Sequence, residues 1–546
     1  MLEYHNLVQQ YNAEHKSLSA RYNTIGYIRL AVVIAFILMF YLMINSQVYL
    51  LLIALFGLLI LFVFLLKLHQ KVSYQRLLAQ TLQKINQDEI DFLAGASPFE
   101  EGSEFIDPHH LYSYDLDIFG PNSLYQFLNR TTTHRGSKLL AHVLSQKKEH
   151  AEILESQKAI GEYSAMLHLR QKIRALGLIH RDDEEHYRFL IYWMKQRGRL
   201  DGLTNLAIYL LPALFILILL FFSFTLTMVW LNAAVVILIL NLMLLGNFNK
   251  KIKAELSGLE QLDSVIKHYG LMLDELSVAE FKSSKLNKLK KKILLDQDAA
   301  GAQLRNLAVI LNQLDSMANG MAVLLFSGTV CYHLHVLKKL YRWKDVYGDQ
   351  VREWLEVLGE FEVISSLANF RYNNPDFIFP EISNQVEMSF KDLGHPLVRE
   401  EVRVCNDISF DDQRFVILTG SNMSGKSTFL RSIGVNTILA GAGSVICATA
   451  CRLYPFQVLV SMRVADSLAE NESYFYAEVK RLKQITDTLA KSHCLVLLDE
   501  ILRGTNSDDK RTGTLEVIRR MVREAAYGVI ATHDLEICNE TGQHPC

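Results

Sequence analysis

Charge is missing from two long stretches of this 546-residue chain: no Asp, Glu, Lys or Arg occurs from Leu30 to Leu66 or from Gly202 to Asn249. An overall excess of either sign is missing too. The formal net charge is −2, which excludes a wholesale basic surface for nucleic acid and leaves only local ones. Cysteine lacks a framework. The seven are scattered without short paired spacings, which excludes a disulfide scaffold and points to reduced thiols in a cytosolic compartment. Metal-ligand spacing is also lacking. Cys447 and Cys451 have no flanking His or second cysteine pair, and His109–His110 and His333/His335 stand alone, so all of these read as core or surface residues.

What is present is apolar residue, at 50% of the chain, and enough length for two to four domains. A membrane-spanning helix needs about 20 apolar residues. The Leu30–Leu66 run holds two such spans, broken at Asn45-Ser46-Gln47, and it is too long and too far from the start for a cleaved signal peptide. The second run also holds two, with a weak polar break from Ser223 to Thr227. Arg21, Arg29, Lys67 and Lys71 flank the first run. Lys195, Arg197, Arg199, Lys250, Lys251 and Lys253 flank the second, and neither turn carries Lys or Arg. This asymmetry places both termini and the middle segment in the cytoplasm. No ionisable Asp, Glu, Lys or Arg lies inside a span to mark a transport path, so the spans read as anchors. A fifth apolar stretch, Met321 to Leu337, is short and contains two histidines; it reads as a buried helix.

Residues 71–201 and 250–370 carry a helical pattern rich in Leu, Ala, Lys, Gln and Glu. Pro98, Pro108, Pro121 and Gly120 mark a loop before a helix starting near Ser123. Phe281–Lys292 holds six lysines, suited either to phosphates or, as the favoured reading, to a solvated helix face near the membrane. Asn373–Ile382 reads as a linker.

From about Gly394 strands and helices alternate, the pattern of a parallel sheet with helical crossovers. Strand-like Arg414–Gly420 runs into Gly420-Ser-Asn-Met-Ser-Gly-Lys-Ser427 and then into a helix, so G-x-x-x-x-G-K-S stands in its required context. Glycines let backbone N–H groups approach phosphates, Lys426 would reach the β/γ-phosphates, and Ser427 would ligand Mg²⁺. A second apolar strand, Cys494–Glu500, ends in two acids: Asp499 is placed to hold Mg²⁺ and Glu500 to polarise water. A third, Gly528–Asp534, puts His533 at its end, where it can contact a γ-phosphate. Three such elements in order point to nucleotide hydrolysis.

TGSNMSGKST (Thr419–Thr428), LLDEILRGTNSDD and ATHD closely resemble the ATPase domain of the MutS family of DNA mismatch-repair proteins. That family has T-G-x-N-M-x-G-K-S-T, then D-E-x-x-R-G-T, then A-T-H. Asp466–Leu482 resembles the family's signature segment, Asp115–Gln146 the start of its helical core and lever region, and Gly394–Val398 with Asn406–Phe410 the beginning of its ATPase domain. The resemblance implies that Gly420, Ser421, Asn422, Met423, Ser424, Gly425, Lys426, Ser427 and Thr428 bind ATP, with Ser427 and Asp499 on Mg²⁺. It implies that Glu500 serves water, that His533 senses the γ-phosphate, and that Ser473 acts across a homodimer. Arg503–Asp509 would line the dimer seam, and DNA would be the partner.

The organisation expected from these readings is an N-terminal cytoplasmic helix over 1–26, a transmembrane hairpin over 27–70, and a helical core over 71–201. A second hairpin over 202–249, a helical lever continuation over 250–385 and an α/β ABC-type P-loop ATPase domain over 386–546 follow. The family's mismatch reader, an N-terminal domain with a Phe-x-Glu wedge, has no room before Leu30. The second hairpin falls where the family's lever helices carry a DNA-gripping clamp, and is expected to replace or displace it. The end at GQHPC lacks the family's helical dimer element and is expected to be truncated or divergent. A prokaryotic plasma membrane is the expected location. Two other readings compete. A transporter is disfavoured because SLAENES is not the glycine-rich L-S-G-G-Q of transport ATPases. An ATP-regulated scaffold with a protein or lipid partner is disfavoured by Glu500, which a non-hydrolysing relative would have lost.

Overall fold

The computed structural model describes residues 1–546 except 47–50, 258–261, 295–298, 317–319, 411–412, 422–423, 464–473, 490–491, 535 and 538–546. The chain divides into two compact units: Met1–Pro98 with His168–Arg181, and Phe99–Leu167 with Asp182–Cys546.

In the first unit, helices Leu2–Ser46 and Leu51–Leu93 pack along each other. Their buried seam contains Leu18, Ile25 and Val32 on one helix and Leu65, Val72 and Ala79 on the other. Both sets step by seven, which keeps one stripe facing the partner and winds the pair as a left-handed coiled coil. At 45 and 43 residues the helices far exceed a single crossing. The boundaries expected at 26 and 70 are therefore not breaks: one continuous ladder runs from apolar stretch into polar coil. Tyr22 stacks on His69 with ring centroids 4.0 Å apart, and Arg29 reaches the His69 ring nitrogen at 3.1 Å, at the point where the charges resume. At the far end Asn86 and Gln171 exchange amide hydrogen bonds of 2.8 and 3.3 Å, and Arg174 pairs with Glu89 at 3.1 Å.

The second unit begins with loops and helices and carries the second hairpin, Gly202–Thr225 and Met228–Leu256. Asp201 caps the first of these by accepting from the Thr204 N–H at 3.1 Å. Leu226, with φ of 51°, makes the reversal, so the weak polar break at Ser223–Thr227 is the turn. Among the described residues four helices are long and apolar enough to cross a membrane, Leu2–Asn45, Leu51–Leu93, Gly202–Thr225 and Met228–Leu256.

Met321–Leu337 is not the single buried helix its composition suggests. Residues Gly320–Val330 form short helical turns, including a π-helical stretch at Val323–Ser327, and the chain breaks at Cys331 with φ of 52° before Tyr332–Tyr347. Only the second half is buried in the usual way, because Leu334, Val336, Leu337 and Leu340 turn inward. The lysine run is a helix, Ser284–Ile293, tied down by neighbours: Lys288 pairs with Glu155 at 2.7 Å and Lys292 with Glu353 at 3.5 Å.

Two sheets form the C-terminal region. A mixed sheet has the order β1-β5-β2-β3, where β1 is Glu381–Ile382, β2 Met388–Leu393, β3 Asn406–Ser409 and β5 Ala450–Leu453. A wholly parallel sheet has the order β4-β8-β7-β6, where β4 is Phe415–Thr419, β6 Gln457–Ser461, β7 Cys494–Asp499 and β8 Tyr527–Thr532. β7 and β8 are buried at every position, as a sheet covered on both faces requires. Helix Lys426–Ala442 packs on β7, β8 and β6. A Cβ on its Gly434 would lie 2.7 Å from Leu116 and 3.0 Å from Leu497, so a side chain there would have to displace the Leu116 methyls. Asn436 joins the two sheets, donating to Gly394 O at 2.9 Å and accepting from Cys447 N–H at 2.8 Å.

The helical part is fastened near the second hairpin by a buried charge pair. Lys344, fully buried, donates to Glu255 at 2.7 Å and sits 3.8 Å over the Trp193 ring, whose N–H donates to the same carboxylate at 2.9 Å. Burial pulls Lys344 below its ordinary range while Glu255 opposes the shift. Glu255→Ala, which strands the ammonium, is expected to cost about 3 kcal/mol in detergent-phase unfolding, and Glu255→Leu with Lys344→Met to recover most of it.

Candidate functional site

Strand order decides what meets. β8 lies between β4 and β7, and the pairings Thr419↔Thr532 and Asp499↔Ala531 bring their carboxyl ends level. The loops leaving three neighbouring strands therefore share one edge, the position where open parallel sheets bind ligands.

The first loop leaves β4 at Gly420 and enters helix Lys426–Ala442 through Gly425, whose φ of 90° is readily available only to glycine. No side chain caps that helix, so its leading N–H groups point out of the loop. Its far end closes in a Schellman turn at Gly443, with φ of 82°. Lys426 is buried and folds back, donating to Gly420 O and Ser421 O at 2.8 Å each. Ser427 Oγ donates to Asp499 Oδ2 at 2.6 Å, joining the first loop to the end of β7. A hydroxyl and a carboxylate are the hard oxygen donors that a cation such as Mg²⁺ takes.

Glu500 has φ of 46° and Leu502 of 61°, two non-glycine residues in the left-handed region on one short loop. The Glu500 N–H continues the ladder to Ala531 O at 2.9 Å. Its carboxylate is held on both sides, by His533 Nε2 on Oε1 and by Arg503 at 3.3 Å on Oε2. His533 Nδ1 faces Gly420 O at 2.9 Å and Lys426 Nζ at 3.4 Å. Lys426, Ser427, Asp499, Glu500 and His533 are thus one connected cluster. Gly420, Ser421, Ser424 and Gly425 line the loop beside it, with the Ser424 N–H on Ser421 O at 3.3 Å. Thr428 is exposed one step along the helix. Asn422, Met423 and Ser473 lie outside the described residues. So do residues 466–473, the first part of the segment resembling the signature, and the GQHPC end.

Residues beyond those singled out from the sequence prove to shape this site. Glu478, on helix Tyr474–Leu489, is almost fully buried, and burial raises its carboxyl above the usual range. It accepts the N–H of Leu502 at 2.5 Å and of Arg503 at 3.1 Å, and so pins the strained loop that carries Glu500. Asp115 accepts the Met462 and Arg463 N–H groups at 2.8 Å each, and Arg481 at 3.3 Å. Asp117 takes Arg431, on the helix that starts at Lys426, at 2.9 Å. These bonds tie loop 110–118 of the helical part to the flank of the site. Their only sequence signal is acid within otherwise apolar stretches, which does not reveal a partner more than 300 residues away.

A family model described as MutS domain V matches residues 416–546. The chain is similar to the DNA mismatch repair protein MutS of Methanococcoides burtonii, 33% identical over 192 residues, which is 34% of this chain and 21% of that protein. It is also similar to the protein of the same name from Methanosarcina barkeri, 29% identical over 213 residues, 37% of this chain and 23% of that one. The similarity spans less than a quarter of the length of these relatives.

Removing the Glu478 carboxylate leaves the buried Leu502 N–H and the part-buried Arg503 N–H unmatched. Glu478→Ala is expected to lower the stability of the α/β region by about 2 kcal/mol and to speed amide exchange at Leu502 and Arg503, read by hydrogen-exchange mass spectrometry, with exchange at β7 itself little changed.

Proposed function

We propose, from the similarity of its C-terminal region to MutS domain V, that this chain is a membrane-anchored MutS-family ATPase of the P-loop, ABC-type class whose turnover opens and closes paired C-terminal regions gripping DNA. The observation that carries the reading is the single cluster formed by Lys426, Ser427–Asp499, Glu500 and His533.

The residues present suit ATP and Mg²⁺. The uncapped N-terminus of helix Lys426–Ala442 and the Lys426 ammonium would hold phosphates. Ser427 and Asp499 would hold the metal, with Gly420–Thr428 as the phosphate loop. When bound, Mg²⁺ supplies positive charge against the charge that develops on the transferred phosphoryl group. The remaining work falls to this chain's side chains. Glu500 orients a water and accepts its proton at the carboxylate. In the state described here both of its oxygens are engaged, by His533 and Arg503. Freeing Oε1 requires His533 to swing away, which links the water-activating acid to whatever His533 touches. Lys426 likewise exchanges the Gly420 and Ser421 carbonyls for phosphate.

Two further parts of the proposal rest on the family resemblance and on composition. Ser473 would reach the partner's nucleotide, making a homodimer the active form, with Arg503–Asp509 at the seam. The four apolar helices would anchor the protein in the plasma membrane of a prokaryote, with the ATPase region in the cytoplasm. DNA would be gripped without a mismatch-reading domain.

ATP hydrolysis by the detergent-solubilised full chain, with and without duplex, mismatched and branched DNA across a salt series, tests this. Turnover is expected to be stimulated by DNA, with stimulation fading steeply as salt rises. Glu500→Ala is expected to lower kcat by about 100-fold or more while ATP binding persists. Hydrolysis indifferent to every DNA would overturn the DNA part and favour a scaffold with a protein or lipid partner; no hydrolysis by the unaltered chain would overturn the ATPase itself.

A further inference from the structure

The short segment Gly320–Val330 has its polarity reversed. Leu324, Leu325, Phe326 and Val330 are 46, 55, 54 and 38% exposed, whereas Ser327 is fully buried. The polar groups face one another inside: Ser327 Oγ meets His333 Nδ1 at 2.5 Å, and His333 Nε2 meets Ser316 Oγ at 3.1 Å, with His333 itself fully buried. Water favours the opposite arrangement. Each large apolar side chain left in water forgoes burial worth about 1.5–3 kcal/mol.

The segment packs on the second hairpin, touching Met228–Leu256 and Gly202–Thr225. A Cβ on Gly328 would lie 3.3 Å from Leu238, so contact there is close. The helix ends at Cys331, which leaves the carbonyls before the break without helical partners. Asn241, fully buried in the apolar helix, supplies them: its amide donates to Gly328 O at 2.8 Å and to Thr329 O at 3.4 Å, and its oxygen accepts from Cys331 Sγ at 3.2 Å. Irregular backbone survives at membrane depth only where the protein satisfies its polar groups, and an intramembrane Asn needs such a use. Asn241 is nine residues before Lys250 and Leu238 twelve. At the rise of an α-helix these are about 13 and 18 Å from the charged end, inside a hydrocarbon layer about 30 Å thick. Eleven residues cannot cross that layer, and the helix that follows carries Lys338, Lys339 and Arg342.

We propose that Gly320–Val330 is a re-entrant segment that enters the hydrocarbon of the bilayer beside the second hairpin, from the side on which Lys250 lies, and returns without crossing, held by the Asn241 amide. The proposal rests on the reading that Gly202–Thr225 and Met228–Leu256 span a membrane. It commits the segment to lipid because its exposed apolar side chains continue the lipid-facing surface of those two helices. The consequence is mechanical. Helices Ala300–Asp315 and Tyr332–Tyr347, which pack together, have their shared tip set in the bilayer, and the second leads into Val351–Asn373, whose Glu362 grips Thr132 and Thr133. Motion of the helical part would then pivot on the membrane.

The test uses the full chain in liposomes, with native cysteines replaced (Cys331 by Ser, which keeps a donor) and a fluorescent NBD label on one introduced cysteine. Labels at Leu325, Phe326, Val236 and Val346 are challenged with lipids carrying nitroxide on their acyl chains. Val236 reports the spanning helix and Val346 the aqueous side, both being about half exposed. The expected result is quenching at Leu325 and Phe326 similar to that at Val236 and about threefold or more above that at Val346. Quenching at Val236 but not at Leu325 or Phe326 overturns the re-entrant segment alone. No quenching at Val236 overturns the spanning reading, and this proposal with it. Asn241→Leu, which removes both donors at similar volume, is expected to cut quenching at Phe326 by about half or more while leaving Val236 unchanged; equal quenching in that variant overturns the assigned role of the amide.

Discussion

Lateral neighbourhood in the parallel sheet is the constraint on which the candidate site depends. With β8 between β4 and β7, one glycine-rich loop, one pair of acids and one histidine leave the sheet side by side. The hydrogen bond from Ser427 to Asp499 spans the width of β8, and His533, at the end of β8, bridges from Glu500 back to the first loop. A further strand inserted among these three would add a spacing of about 4.8 Å, beyond the reach of a direct hydrogen bond.

The site is held by structure that costs stability. Glu500 and Leu502 adopt a left-handed backbone that L-residues with side chains avoid, and the surroundings over-determine it: Glu478 takes the two N–H groups that follow, and Arg503 folds back onto the Glu500 carbonyl at 3.0 Å. Because Glu478 stands on helix Tyr474–Leu489, whose first half belongs to the signature-like segment, movement of that helix would be felt at Glu500. Arg481, on the same helix, is bound to Asp115 in the helical part. One helix therefore touches both the strained loop and loop 110–118, a physical route by which the state of the site could reach the rest of the second unit.

The apolar helices obey two different rules along their length. The first pair is apolar outward where charge is absent and coiled-coil inward throughout, with the same seven-residue stripe serving both stretches. In the second pair Asn241 is the exception to an apolar helix, and its partners are backbone atoms of a segment distant in sequence. Helical backbone pairing within each span, and the Asn241 amide where the neighbouring backbone breaks, are what a hydrocarbon solvent demands of apolar-faced helices.

The sequence alone determined a great deal here. Uncharged runs define apolar helices because length and composition suffice for that inference, and Gly420–Ser427, Asp499–Glu500 and His533 were legible because each motif is local: a strand, a turn and the residues at its end. Tertiary structure alone decided the rest. Composition assigned Met321–Leu337 to one buried helix, since hydropathy cannot say whether an apolar face meets protein or solvent; the left-handed Cys331 and its neighbour Asn241 split it in two. Glu478, Asp115 and Asp117 resemble ordinary surface acids in the sequence. Their importance comes from partners on other elements, N–H groups of the loop after β7 for Glu478 and N–H groups and arginines more than 300 residues away for Asp115 and Asp117, and such pairings exist only once the strands and helices have been laid side by side.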